Sequence, residues 1–442
     1  MILPTSMLKT MIDQVVNIPR SNTLTIKLMI RNHSDASFSL DNTLIDLMTI
    51  DQNFADNTTD NILITVGLKA TELQKLVTMQ SDLFADMVFE YVDPTTGVVD
   101  LTEKPITKRY KVFIQDLSTL TKRFGANAFT NTDGSQHTTS VQAASYTSIT
   151  MQLMTDTDYT TNRSTFTGMM RSMKPEDLVK YMASVMKIGK LKMEPPDNTT
   201  TYQHIAIPPE VSGFRAAFDH IQGKHGIYAN GFRHYVTEDT MYVYPPFDMK
   251  STKSPRLTIL RVSENTYIGH SNYHKSHDNG DLTIISNTKL DSKTLSNTGS
   301  ENDGNTKLFV RSDGMIDGQV NKADMSLVNV TASMSSTPDG SISKGSAVPR
   351  YLPPTMNLLH HASKFSETNT ELMSFGWIKA RIFSIYPGMP TTFVFDDKSS
   401  VLSKTGQVEK IRYTITRASK ELFVCNASVV IRSDPQPVPY DL

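Results

Sequence analysis

Three histidines lie in one short polar stretch of this 442-residue chain, and they are its clearest candidates for chemistry. His270, His274 and His277 are spaced by four and three residues, and Asp278 follows directly. Imidazole and carboxylate groups bind Zn²⁺ or Ni²⁺, and a helix would bring the three rings to one face. However, Asn272 and the turn-forming residues after His277 favour a solvated loop. We therefore predict no metal site, with metal binding by the three histidines as the alternative.

The other groups that could take part in chemistry each have a structural explanation. Acidic pairs are typical of turns and helix starts, and lysines at a helix C-terminus complement the helix dipole. The groups are Asp396-Asp397 (a turn), Glu176-Asp177 (a helix start), His360-His361 (a surface or interface), and Lys187, Lys190 and Lys192 (a helix end). No G-x-S-x-G, zincin or glycine-rich phosphate-binding motif is present. We therefore predict no catalytic or cofactor-binding residues, no cofactor and no enzymatic activity.

Composition narrows the class of partner. The formal net charge is -1 and the pI about 6.8, which gives no general attraction to nucleic acid or to an anionic membrane. The single cysteine, Cys425, excludes an internal disulfide and a multi-cysteine zinc site, and its strand-like surroundings predict a buried thiol. No secretory signal pattern is visible, and no stretch approaches the roughly 18 apolar residues that span a bilayer. We expect no membrane insertion, and folding in a reducing cytoplasm.

The stretch 205–248 has the sharpest local signals and predicts a helix followed by a hairpin. Pro208 and Pro209 suit the first turn of a helix, and a hairpin turn is expected at 237–240. The helix would present one apolar face, formed by Val211, Phe214, Phe218 and Ile221. Stacking on sugars or bases is the alternative use of the aromatic residues, but we favour the core of an α+β unit for Tyr228, Tyr242, Tyr244 and Phe247.

The rest of the chain is mainly of strand character. Alternating or apolar runs predict strands at 23–32, 38–50, 61–68, 87–92, 108–117, 146–156, 256–262 and 281–285, and several more within 373–432. Helices are predicted at 71–80 and from Lys174 to about Gly189. Turn-rich stretches predict loops at 126–141, 291–306 and 331–345. The proline-containing segment 434–442 is predicted not to continue a sheet.

Two parts of the chain resemble a known family. The order I-P-P, amphipathic helix, GIY, hairpin and YVYPPFD within 205–248 is similar to the middle region of baseplate hub proteins of tailed bacteriophages. The C-terminal block is similar to the second barrel of that family. Its matching pieces are Trp377–Ile385, Pro387-Gly388, Thr391–Phe395, Gly406-Gln407-Val408 and Leu422–Arg432.

The resemblance implies a mainly β fold with an α+β insert. Two small antiparallel β-barrel domains of the tail-tube type would be combined with a helix-hairpin subdomain. The predicted divisions are 1–20 (arm), 21–158 (first barrel), 159–250 (α+β insert), 251–372 (connecting region), 373–433 (second barrel) and 434–442 (tail).

The resemblance also implies a structural role in the virion. Three copies would form a homotrimeric ring in the tail baseplate, assembled in the host cytoplasm. The ring would adapt the sixfold tail tube to the threefold central spike and line the channel for the tape measure protein and DNA, without specific nucleic-acid binding. Expected partners are the spike, the tube, the tape measure and other baseplate proteins. The alternatives are another tail component (tube, neck or fibre-attachment protein) and a metal-dependent hydrolase that uses His270, His274 and His277.

Overall fold

The structure is a computed structural model of the chain. It describes residues 6–17, 23–32, 37–40, 45–79, 82–93, 96, 98–100, 104–114, 147–248, 255–262, 272–287, 291–294, 306–311, 316–321, 327–328, 350–352, 357, 359–360, 363, 367, 370–397, 400–419 and 421–440. The predicted loops 126–141 and 331–345 therefore lie outside the described residues, as does His270.

Strands outnumber helices in the described part of the chain. The helices are α1 Ser6–Val16, α2 Ala70–Thr78, α3 Asp156–Arg163, α4 Pro175–Val185 and α5 Phe214–Lys224, with a 3-10 turn at Pro209–Val211. The strands are β1 Thr23–Arg31, β2 Ser37–Leu40, β3 Ile45–Asn53, β4 Asn61–Leu68, β5 Phe84–Val92, β6 Ile106–Ile114, β7 Thr147–Met154, β8 Gly168–Met173, β9 Lys190–Met193, β10 Tyr202–Ile207, β11 Arg233–Thr237, β12 Thr240–Tyr244, β13 Leu257–Arg261, β14 His274–Ser276, β15 Leu282–Ser286, β16 Asp291–Thr294, β17 Thr306–Arg311, β18 Ile316–Asn321, β19 Leu327–Val328, β20 Arg350–Leu352, β21 Glu371–Trp377, β22 Pro390–Asp397, β23 Ser400–Arg417, β24 Phe423–Ser433 and β25 Val438–Pro439.

Eight strands of the largest sheet pair in a closed circuit. The order is β23, β3, β4, β7, β6, β5, β1 and β24, and β24 pairs again with β23. All eight pairings are antiparallel. Alternation in the sequence decides which side chains face the core. In β1 the alternate residues Leu24, Ile26, Leu28 and Ile30 are all buried in the larger hydrophobic cluster, as expected for the strand predicted at 23–32.

The long strand β23 changes partner part-way along its length. Its first half, residues 400–407, pairs with β22, whereas residues 410–416 pair with β3 along the same edge. The opposite edge pairs with β25 at residues 402 and 403 and with β24 from residue 406 to residue 417. Between the two halves the register with β24 shifts by one residue, so Glu409 is the extra residue of a β-bulge. The bulge marks the point where the two sets of partners separate.

A second group of strands is built on the other half of the β23–β24 hairpin. On one side β22 is followed by β13, β15 and β14, and on the other side β21 and β16 follow β24. The strands of the predicted second barrel pair antiparallel with one another, whereas β13, from the predicted connecting region, pairs in parallel with both β15 and β22. Pairing of β24 with β1 and of β23 with β3 also joins residues from both predicted barrel divisions in one sheet.

The insert has its own small core. A ribbon of β8 and β10 and a three-stranded sheet of β9, β12 and β11 surround α4 and α5. Helix α5 begins later than predicted: a 3-10 turn precedes it and Gly213 is its N-cap, so Val211 lies before the helix. Phe214, Phe218 and Ile221 of α5 pack with Val236 and Met241 of the β11–β12 hairpin.

Two further expectations need correction. Residues 434–442 were predicted to lie outside any sheet, but β25 pairs with β23 at Leu402 and Ser403. Pro439 is tolerated because β25 lies at an edge, where a missing NH leaves no ladder bond unmade. Within the predicted loop 291–306, residues 291–294 form β16 and pair with β21. No helix among the described residues has both the length and the apolar character needed to cross a membrane.

A buried ion pair lies at the bulge. Arg432 of β24 is 4% exposed, and its Nε and Nη2 donate to the two carboxylate oxygens of Glu409 over 2.5 and 2.6 Å. Its Nη1 donates to Thr370 Oγ1 over 2.9 Å. The backbone of Glu409 also accepts a hydrogen bond from Phe54 N, just beyond the end of β3. The pair therefore connects the hairpin to the circuit through Glu409 and to the segment before β21 through Arg432.

Replacement of Glu409 by Gln should destabilise the protein by about 3 kcal/mol, because it leaves a buried guanidinium without its counter-charge. The free energy of unfolding can be followed in urea by the fluorescence of Trp377, the only tryptophan, which is buried in β21 beside β24. The matched control is Glu90→Gln, which removes the partner of the largely exposed Lys27 and should cost less than about 1 kcal/mol. Equal costs for the two variants would contradict the central role of the pair.

Close approach of β23 and β24 at Gly406 predicts that a larger side chain there lowers the free energy of unfolding. A Cβ atom at Gly406 would lie 2.2 Å from the carbonyl oxygen of Arg432, a backbone atom that cannot move freely. Gly406→Ala should therefore cost about 1–3 kcal/mol. Gly223, near the end of α5, has open space around its Cβ position, so Gly223→Ala should stabilise by about 0.5–1 kcal/mol. Both values come from the same urea titration, and a neutral Gly406→Ala would disprove the close packing.

Candidate functional site

His274 and His277, the two candidate histidines within the described residues, do not lie on a helix. His274 begins β14, is buried, and meets the ring of Trp377 edge-on at a centroid distance of 5.5 Å. His277 follows the strand, and its Nε2 lies 3.0 Å from Thr283 Oγ1. The predicted loop is thus wrong for 274–276, where a short strand pairs with β15. Among the described residues no group of three or more His, Cys, Asp or Glu side chains is arranged to hold a metal ion.

The charged candidate residues have structural roles in helices and strands. Glu176 and Asp177 lie in the first turn of α4, as predicted, and Glu176 pairs with Lys180 one turn later. Asp396 and Asp397 were expected in a turn but belong to the end of β22, paired with β23. Cys425 is buried, as predicted. Of the pair His360-His361, only His360 lies within the described residues.

The lysines and aromatic residues also differ in part from expectation. Lys190 and Lys192 lie in β9 and not at a helix end, and only Lys187 follows α4 directly. Tyr228 belongs to the insert core, where its hydroxyl donates to Glu194 O over 2.6 Å. Tyr242 instead stacks on Tyr386 of the C-terminal region at 5.9 Å. The predicted aromatic cluster is therefore divided between the insert core and its contact with the rest of the molecule.

A group of buried polar residues joins the insert to the strand circuit. We call it the acidic junction and define it by the buried residues Gln52, Asp60, Asp158, Thr161 and Tyr235, together with the partly buried Thr237. Asp60 lies just before β4, and its Oδ1 accepts hydrogen bonds from Gln52 Nε2 at 3.0 Å and from Tyr235 OH at 2.9 Å. Its Oδ2 accepts from Thr237 Oγ1 at 3.0 Å. One carboxylate of the circuit thus holds two residues of β11.

Asp158 brings a second carboxyl group to the junction from α3. Its backbone N–H donates to Thr155 Oγ1, and its Oδ2 accepts from the Thr155 backbone N–H, which makes a reciprocal capping box. The side chain is fully buried, and its Oδ1 has no hydrogen-bond partner. Thr161 lies three residues later on the same helical face, is equally buried, and its hydroxyl is also without a partner.

Backbone and side-chain contacts surround the junction. Val236 N donates to Thr58 O over 2.8 Å, and Asn162 exchanges side-chain hydrogen bonds with both Thr58 and Thr59. Arg215 of α5 donates to Ala55 O over 3.1 Å. These bonds attach three separate elements of the insert to the same short segment between β3 and β4.

Burial and mutual repulsion shift the acid equilibria of the junction. Burial, followed by the negative charge of Asp60, raises the pKa of Asp158 from 3.8 to about 8. Burial also raises the pKa of Asp60, although the hydrogen bonds from Gln52, Tyr235 and Thr237 act in the opposite direction. Because Asp60 receives three donors, the negative charge is better stabilised there. Asp158 therefore carries the proton at neutral pH.

Sequence reasoning missed this site. The T-x-x-D pattern from Thr155 to Asp158 predicts a capping box, and it could have located the start of α3. Nothing local to Asp60 distinguishes it from the other Asp and Asn residues of its turn-like surroundings. Its burial depends on β11, which is more than 170 residues away in the chain.

Comparison with known proteins decides the family. The family model described as "Bacteriophage PBS1 gene 109 protein" matches residues 17–310, which is more than half of the chain. The chain belongs to this family. None of the curated proteins searched matches it. Membership of this family agrees with the bacteriophage setting that the sequence-based resemblance implies.

Several solved structures are similar in fold. The tail protein from Neisseria meningitidis MC58 is 13% identical, with 93% of this chain and 97% of that chain covered and a TM-score of 0.48. The 43 kDa tail protein of prophage MuSo2 from Shewanella oneidensis is 7% identical over 92% and 96%, with a TM-score of 0.47. The prophage tail protein gp18 from Listeria monocytogenes EGD-e is 9% identical over 93% and 95%, with a TM-score of 0.41.

The pKa of Asp158 predicts a dependence of stability on pH. The folded state keeps this proton up to about pH 8, whereas the unfolded state releases it above 3.8. The contribution of this group is thus complete below about pH 4 and is lost as the pH rises to 8, at up to about 1.4 kcal/mol per unit. Asp158→Asn, which resembles the protonated acid, should remove this slope in urea titrations from pH 4 to 8.

The control for this measurement is Asp156→Asn in the same helical turn. The Asp156 side chain is 72% exposed and pairs with Lys111 at the surface. Its curve of stability against pH should run parallel to that of the unaltered protein. A curve for Asp158→Asn that also runs parallel would contradict a buried proton on Asp158.

Proposed function

We propose that the protein is the baseplate hub subunit of a bacteriophage tail and that it acts as a homotrimeric ring. The ring adapts the sixfold tail tube to the threefold central spike and encloses the channel for the tape measure protein and DNA. Membership of a bacteriophage family over residues 17–310 supports the setting, and the arrangement of strands around the β23–β24 hairpin supports the mechanism.

The observation that carries this proposal is the presence of two strand groups in one chain. Eight strands form the closed circuit, and a second group extends from the same hairpin on β22 and β21. A closed circuit leaves no free edge within it, which suits a ring component that must not aggregate. If each group is tube-like, three chains present six such units, so a threefold assembly matches a sixfold tube without a second protein.

The rival functions predict other assemblies or chemistry. A tail-tube protein would form hexamers or polymers, and a neck or fibre-attachment protein would lack the alternation of two units in a ring. A metal-dependent hydrolase would need its histidines to converge. His274 and His277, the two that are described, instead contact Trp377 and Thr283.

Light scattering and spin labelling of the purified protein test the proposal. The mass should be near three times 49.3 kDa, alone or with the spike protein added. A single Met169→Cys substitution offers an exposed labelling site, since Met169 is 60% exposed. Three labels related by a threefold axis give one distance between spins, whereas a sixfold ring gives three.

The native cysteine should not interfere with this measurement. Cys425 is buried, and burial raises the pKa of its thiol, so the unaltered protein should take up no label. A monomer at all concentrations, with and without spike protein, would refute the ring. Three spin distances would indicate a tube component instead of a hub.

A further inference from the structure

Three oxygen atoms of the acidic junction are buried without a hydrogen-bond partner. Asp158 Oδ1, Thr161 Oγ1 and Gln52 Oε1 are all inaccessible and have no hydrogen-bond partner. An ionised carboxylate and an amide oxygen only accept hydrogen bonds, whereas a hydroxyl or a protonated carboxyl group can also donate. Buried polar atoms without partners are uncommon and costly, so three in one region indicate that a positively charged or donating group belongs there.

The orientation of Gln52 is fixed by its neighbour. Its Nε2 donates to Asp60 Oδ1, and reversal of the amide would place two acceptors against each other. The Oε1 atom of Gln52 must therefore face away from Asp60 without a protein donor. Thr161, in contrast, can rotate its hydrogen and present a lone pair.

We propose that the acidic junction binds one hard divalent cation, for which Ca²⁺ is the best match, through oxygen atoms of Asp60, Asp158, Thr161 and Gln52. Two carboxylates, one amide oxygen and one hydroxyl oxygen form the kind of donor set that Ca²⁺ takes in proteins, completed by water. None of these ligands is sulfur or imidazole, which argues against Zn²⁺ and other softer metals. Two of the four ligands, Thr161 and Gln52, are uncharged, so the site has only two acidic side chains.

The charges around the junction favour a cation over an anion. Glu238, at the turn between β11 and β12, adds a third negative charge, and it is paired with Lys108 of β6 at the surface. Burial, followed by the negative charge of Asp60, raises the pKa of Tyr110 of β6 and of Tyr235 of β11, so both hydroxyls stay neutral. No arginine or lysine hydrogen-bonds to Asp60 or Asp158 among the described contacts.

A cation here would join the insert to the circuit. Gln52 and Asp60 belong to the β3–β4 region, whereas Asp158 and Thr161 belong to α3, at the start of the insert. An ion bound by both sides links them in a single coordination shell. The angle between insert and circuit would then depend on the concentration of free Ca²⁺.

Calorimetric titration of the intact protein with CaCl₂ at pH 8, after removal of metal with a chelator, tests the proposal. One ion per chain should bind, and the unfolding temperature should rise by about 2–4 °C at saturation. Asp158→Asn should abolish both effects. Asp156→Asn, in the same turn but exposed, should leave both unchanged.

A second variant distinguishes loss of a ligand atom from a general loss of structure. Thr161→Val keeps the shape of the side chain, removes only the hydroxyl, and should weaken Ca²⁺ binding about tenfold or more. Absence of binding heat together with an unchanged unfolding temperature would overturn the proposal and leave a proton as the occupant of Asp158. Equal binding by the unaltered protein and Asp158→Asn would also overturn it, because the ion would then lie elsewhere.

Discussion

The ion pair between Arg432 and Glu409 fixes the point at which the two strand groups separate. An extra residue in a strand leaves its side chain and backbone out of register with the ladder, so something else must hold it. Here the bulged residue is held by a buried guanidinium on the neighbouring strand and by Phe54 N. Because the bulge is fixed, β22 and β3 can share one edge of β23 without competing for the same backbone groups.

The insert is attached to this frame by strand alternation and polar contacts. Successive residues of β11 point to opposite faces, so Tyr235 packs in the larger hydrophobic cluster while Val236 packs in the cluster of the insert. Asp60 then receives the hydroxyls of Tyr235 and Thr237. One short strand therefore contributes to two cores, and its polar groups determine how the two are aligned.

Local sequence patterns were sufficient to predict individual strands and helices, but not which strands pair with one another. The alternation of β1, the bounds of β4 and the acidic start of α4 were predictable because each depends on neighbouring residues. The closed circuit was not predictable from the sequence, since it requires β24 to pair with β1, which lies about 400 residues earlier in the chain. The parallel pairs of β13 and the burial of Asp60 likewise depend on contacts between distant segments. Such contacts leave no periodicity in a single sequence.

The position of the β23–β24 hairpin late in the chain also delays closure of the circuit during synthesis. A ribosome releases β1 and β3 long before β23 and β24 exist, so the circuit stays open until these two later strands have been made. During that interval the edges of β1 and β3 lack their final partners, and open edges invite pairing with other nascent chains. Pairings so distant in sequence also slow folding. Premature termination anywhere before residue 423 would thus leave an unclosed, association-prone chain instead of a smaller folded one.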